Sequence, residues 1–122
     1  MIQAVWIEIP VNEISRAMKF YQAVFDLPTT TVTDDGIRKT ATFFAGADGQ
    51  AGISLNQTKN FEPNNKGVLV YWAAGEELSS HLSRVEPAGG RIVEGKTSMG
   101  EAGYYALVQD TEGNVFALYS FK

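Results

Sequence analysis

The pattern of apolar runs, helix-spaced residues and turn glycines in the first half of the chain recurs in the second half at a shift of 64 residues. Ile14 falls on Leu78, Met18 on Leu82, Gly36 on Gly100 and Gly49 on Gly113. Val5 and Ile7 fall on Leu69 and Tyr71. Strand, helix, turn glycines and final strand all keep step, so the chain reads as two copies of one supersecondary unit. At 122 residues the pair has the size of a single domain.

Each copy is a strand, a helix and three strands. Residues 4–9 read as a strand with Val5, Ile7 and Ile9 on one face and Trp6 and Glu8 on the other. Pro10 ends it, and Asn12 is placed to cap a helix over 13–25, where Ile14, Ala17, Met18, Tyr21, Val24 and Phe25 recur at helical spacing. Strands follow near 29–34, 38–45 and 51–57, separated by glycine-bearing turns. Residues 58–66 are a polar connection containing Pro63. The pattern then restarts with a strand over 68–72, a helix over 76–88 closed by Gly89-Gly90, and strands near 91–97, 104–109 and 114–121. Module 1 therefore covers about 1–57 and module 2 about 67–122, in an α+β domain.

Composition removes several function classes. With no cysteine, disulfides, thiolate zinc sites and cysteine nucleophiles are excluded, which fits a reducing compartment. A net charge of -4 offers no basic surplus for a nucleic-acid backbone, and would favour a cationic ligand in a cleft. No run approaches the ~20 apolar residues that span a bilayer. Glu8 interrupts the first apolar run and no basic residue precedes it, so the start does not read as a signal peptide. We expect a cytoplasmic protein.

Ile7-Glu8-Ile9-Pro10-Val11, the run from Arg16 to Tyr21 and Val24-Phe25-Asp26-Leu27 carry a family likeness in the first half. Leu82-Ser83-Arg84-Val85-Glu86, Ala88-Gly89-Gly90 and Asp110-Thr111-Glu112-Gly113-Asn114 carry it in the second. Together they resemble the vicinal oxygen chelate superfamily of glyoxalase I, extradiol dioxygenases and bleomycin-resistance proteins, and within it a poorly characterised glyoxalase-related group. The resemblance implies two βαβββ modules forming a cupped mixed β-sheet, with helices on its outer face, and a homodimer. It also implies four metal-ligand positions on the cleft face, which fall here on Trp6, Ile53, Val70 and Ala117. None offers a nitrogen or oxygen donor, so we expect no metal and no other cofactor; a carboxylate-only magnesium or calcium site stays open.

The lone histidine, His81, lies in the second helix and reads as a boundary residue away from the cleft. Glu8 is the candidate general base, and a glutamate held by Arg38 or Lys39 is its structural alternative. Trp6, Glu8, Trp72, Tyr104 and Tyr119 form the candidate ligand-binding set, since aromatic rings on the cleft face could grip a planar or cationic molecule. Residues 97–103 form either a lid or a hairpin connection. The function expected is metal-independent binding of a small organic molecule, aromatic or cationic. The alternatives are a lyase- or isomerase-type enzyme using Glu8, and a regulatory or interaction domain with a vestigial cleft.

Overall fold

Alternation of apolar and polar side chains builds the strands where expected, with shifted ends. The computed structural model describes residues 1–122. Module 1 contains β1 (Trp6–Pro10), α1 (Ile14–Phe25), β2 (Val32–Asp34), β3 (Lys39–Phe44) and β4 (Gly52–Gln57). Module 2 contains β5 (Tyr71–Ala73), α2 (Ser79–Val85), β6 (Arg91–Ser98), β7 (Tyr104–Gln109) and β8 (Val115–Ser120).

The strands form two four-stranded mixed sheets, one from each half of the chain, ordered β1-β4-β3-β2 and β5-β8-β7-β6. In each half the outer pair, β1–β4 or β5–β8, is parallel and the other neighbours are antiparallel. This leaves β1 and β5 as edge strands.

Glu13, not Asn12, caps α1: its carboxylate accepts from the Ser15 and Arg16 amides. The Asn12 amide is instead drawn to Glu112 Oε1 at 2.9 Å, which delays the helix by a residue. Asp26, in the left-handed region at φ 53°, ends α1. The second helix is shorter than expected. The Leu78 amide is taken by Ser120 Oγ, and the Glu77 carboxylate holds the Ser79 amide, so regular helix starts only at Ser79.

The strands of the two modules correspond at a different shift from the helices. The ladder bond from the Val11 amide to Asn56 O has its counterpart from the Ala74 amide to Tyr119 O, a shift of 63. The main-chain groups that face the neighbouring strand thus belong to odd-numbered residues along the first strand, Val5 and Val11, and to even-numbered ones along the fifth, Val70 and Ala74. One extra residue between β5 and α2 restores 64 for the helix onset. Side chains alternate with period two, so this single residue reverses the face assigned to every β5 and β8 position carried over at 64.

The core is one cluster fed by both modules. Ile9, Ala41 and Leu55 come from the first sheet, and Ala106, Val108, Phe116 and Leu118 from the second. Ala17, Phe20 and Val24 of α1 join them, with Val85 of α2 and Leu78 just before it. The Phe116 ring packs 5.8 to 6.3 Å from those of Phe20, Tyr21 and Phe25, so α1 touches both its own sheet and the other module's last strand. Arg84 of α2 donates from Nε and Nη2 to the Val24 carbonyl near the end of α1. His81 sits between the helices, 5.7 Å from the Phe25 ring, with Nδ1 buried and unpartnered. Burial, and then the charge of Arg84, lower its pKa.

Candidate functional site

The sheet faces turned away from the core carry the polar and aromatic side chains that could meet a ligand. On the first sheet, β1 and β4 bring Trp6, Glu8, Ser54 and Asn56 to one face, and β3 adds Thr40. Ser54 and Asn56 are each only 1% exposed, and every polar atom there must find a partner. Ser54 Oγ accepts from Trp6 Nε1 at 3.0 Å and from Asn56 Nδ2 at 2.9 Å. Asn56 Oδ1 accepts from Arg38 Nη1 and the Thr40 hydroxyl, both at 3.2 Å. Arg38 Nη1 also donates to Glu8 Oε2 at 2.9 Å. The result is one connected chain from indole to carboxylate, built on two buried side chains. The Trp6 ring lies over Gly52, where a Cβ would come within 2.4 Å of it.

Glu8 thus lies on the expected face beside Trp6, with Arg38 as its partner. Sequence reasoning missed Ser54 and Asn56, since their hydrogen-bonding partners come from strands distant in the sequence.

On the second sheet, register puts Tyr71, Ala73, Ala117 and Tyr119 on the outward face with Tyr105 and Leu107. Tyr119, proposed from sequence, is there; its hydroxyl donates to the Ala102 carbonyl at 2.6 Å. Trp72 and Tyr104 are not. Trp72 points to the core side against Phe25, and Tyr104 packs against the core with Lys96 Nζ 4.5 Å from its ring centroid. The 64-residue shift puts Trp72 one residue away from the outward Tyr71, and Tyr104 is likewise next to the outward Tyr105. The 97–103 segment is a hairpin connection between β6 and β7, closed by the Met99 amide on the Gly103 carbonyl at 2.7 Å.

A cavity of about 360 Å³ lies along the edges of β1 and β5, lined by Glu8, Pro10, Asn60, Lys66, Trp72 and Asn114 among others. Trp72 therefore meets the same cavity as Glu8, from the opposite side of its sheet. Asn114 fixes one end: it donates to the Pro10 carbonyl and to Asp110, and accepts from the Asn64 amide. A second cavity of about 270 Å³ is wholly apolar, with Phe25, Phe43, Ile53 and Trp72 in its walls. Ile53 is thus on the core side. The outward position in β4 equivalent to Ala117 is Ser54.

With the strand shift corrected, the four positions implied for metal ligands are Trp6, Ser54, Leu69 and Ala117. They do not fit a divalent ion. Only Ser54 offers an oxygen, and two N–H donors already claim it. No three His, Cys, Asp or Glu residues gather in the structure at a spacing that could hold a metal ion.

The profile of the Glyoxalase/Bleomycin resistance protein/Dioxygenase superfamily matches residues 3–118. No curated protein sequence matches the chain. Among solved structures, a hypothetical protein from S. aureus is 23% identical, with 98% of this chain and 95% of that one covered and a TM-score of 0.66. A glyoxalase I mutant from Zea mays has a TM-score of 0.74 at 18% identity; the match covers 96% of this chain and 44% of the maize chain. A mutant fosfomycin resistance protein from Listeria monocytogenes, complexed with Mn(II) and 1S,2S-dihydroxypropylphosphonic acid, also has a TM-score of 0.74. It is 16% identical, with 100% of this chain and 95% of that chain covered.

Proposed function

Because the chain belongs to the Glyoxalase/Bleomycin resistance protein/Dioxygenase superfamily, we propose that it binds a small organic molecule on its outward sheet faces without a metal. The observation that carries this reading is the buried Ser54–Asn56 pair, which holds Trp6 and Arg38 in place on an otherwise open sheet surface. Burying an amide and a hydroxyl beneath a surface network is costly unless every bond is made. Side chains locked in this way are preorganised to meet a ligand.

Two copies pairing along the free β1 and β5 edges would cover Val5, Val68 and Leu69, which are left exposed in one chain. We therefore read the working form as a homodimer of single-domain chains, acting in the cytoplasm. The reading with Glu8 as a general base has less support, because Arg38 already engages its carboxylate.

The test is a thermal-shift and NMR screen against zinc, nickel, manganese and magnesium, beside a panel of small organic compounds. Ligand at ~100 times its dissociation constant adds about 2.7 kcal/mol of stability. An organic compound that raises Tm and moves the Trp6 Nε1–H and Asn56 side-chain signals supports the proposal. A rise specific to one metal, or silence of this face to the whole panel, overturns it.

A further inference from the structure

Strand β6 breaks step with β7 twice. Ile92 stands opposite Val108, but Glu94 stands opposite Leu107, and Thr97 opposite Tyr105. In an unbroken antiparallel ladder Glu94 would face Ala106, a buried core residue, and would share the core side with Ile92. The bulge at Val93 adds one residue and turns the Glu94 side chain to the outward face. Tyr71, Ala117, Leu107 and Glu94 then lie in one row across the four strands. Tyr119 and Tyr105 form a cross-strand pair in the adjoining row.

The surroundings of this carboxylate are specific. Glu94 Oε1 accepts from the Tyr105 hydroxyl at 2.7 Å and from Thr97 at 3.3 Å. It takes part in none of the three ion pairs, which join Arg16 to Glu112, Arg38 to Glu8 and Lys96 to Glu77. Lys96, two residues along, is committed to Glu77 and the Tyr104 ring, and the Arg91 guanidinium donates to Gln109. Ala117 is fully buried although it lies on the outward face, so its neighbours Tyr71, Leu107 and the tyrosine pair must roof it over. Glu94 thus shares the outward face with the Tyr105–Tyr119 pair and, along its row on the far edge strand, with Tyr71, which is half exposed.

We propose that Glu94, with Tyr71, Tyr105 and Tyr119, is a subsite for the ammonium group of a small organic cation. The ring faces attract the positive charge through their quadrupoles, and the carboxylate supplies a counter-charge that no side chain of this protein provides for. The Tyr105 and Thr97 hydroxyls hold Oε1, which fixes the direction of the carboxylate. The inference rests on the reading of the outward faces as the ligand surface, and names the ligand chemistry of the module 2 half.

The experiment is an NMR titration of the intact chain with choline and with its neutral isostere, 3,3-dimethylbutan-1-ol. It is run on wild type, Glu94→Gln, Tyr71→Leu and the exposed control Glu86→Gln. Choline should move the Tyr71, Tyr105 and Ala117 signals. Its affinity should fall about tenfold in Glu94→Gln and in Tyr71→Leu, stay at the wild-type value in Glu86→Gln, and exceed that of the isostere about tenfold. Equal binding of the isostere, wild-type affinity in Glu94→Gln, or no movement of these signals would overturn it. If that happens while a panel compound still moves the Trp6 and Asn56 signals, the subsite alone falls. Silence of both faces to every compound removes the binding function as well.

Discussion

Arg16 and Glu112, 96 residues apart, meet in a two-pronged ion pair, Nε to Oε2 at 2.8 Å and Nη2 to Oε1 at 3.0 Å. It fastens the turn between β7 and β8 to the first turn of α1. The same carboxylate accepts from the Asn12 and Glu13 amides and from the Thr111 hydroxyl, so it also anchors the start of the helix from the other module.

Burial alone would raise the Glu112 pKa, but Arg16, Thr111 and the two amides outweigh it and pull it down to about 2. A depressed carboxylate pKa stabilises the fold above the unfolded value, and that stability is lost as pH falls through the folded value. Glu112→Gln should therefore destabilise the protein by roughly 2–3 kcal/mol at pH 7. The difference from wild type should shrink between about pH 5 and pH 2. Denaturant midpoints measured across that range check this; a pH-independent difference would argue that the carboxylate charge is not what matters.

Tyr21 donates its hydroxyl to Asp110 Oδ2 at 2.7 Å inside the core, and burial with the Asp110 charge raises the phenol pKa well above normal. Tyr21→Phe leaves Asp110 the Glu112 and Asn114 amides and the Asn114 side chain as donors. The loss should be about 1–2 kcal/mol, with an unchanged denaturant slope. A loss near zero would mean that the remaining donors satisfy the aspartate fully.

Gly52→Ala puts a methyl group into the Trp6 ring. Trp6 is 42% exposed and its ring can swing outward, so the cost should stay at about 1 kcal/mol. The swing breaks the Trp6–Ser54 hydrogen bond, and the Trp6 Nε1–H signal should move and exchange faster with solvent. An unchanged signal would show that the backbone yields instead.

Arg38→Ala separates stability from recognition. The Arg38–Glu8 pair is partly exposed, and such pairs contribute below ~1 kcal/mol. The Thr40 hydroxyl still serves Asn56 Oδ1. Tm should therefore change little, while binding of any compound that moves the Trp6 signal weakens. Equal losses in both would make Arg38 a structural residue.

The helix pattern and turn glycines were legible because they repeat in step, and the strand–helix–three-strand order follows from them. Trp6 and Glu8 were placed on the correct face because the alternation within β1 is local and needs no alignment. Trp72 lies on the face opposite to the one expected because a shift taken from helices and turns does not hold for strands that differ from it by one residue. The same one-residue difference puts Ile53 on the core side and Ser54 at the outward position of β4. Glu94 could not be read at all: a bulge depends on the partner strand, and nothing in Ile92-Val93-Glu94 marks it. Asn56 and Ser54 look like ordinary polar strand residues until the side chains that satisfy them are seen together.

The two tryptophans stand on opposite sides of the architecture, Trp6 half exposed over Gly52 and Trp72 against Phe25 and the apolar cavity. The chain therefore carries two intrinsic optical reporters in different surroundings. Emission from Trp6 is open to aqueous quenchers and to anything that settles on the outward face, whereas emission from Trp72 answers to loosening of the packed interior. With each replaced in turn by phenylalanine, occupancy of the surface and melting of the core become separate colours in one cuvette, without a dye.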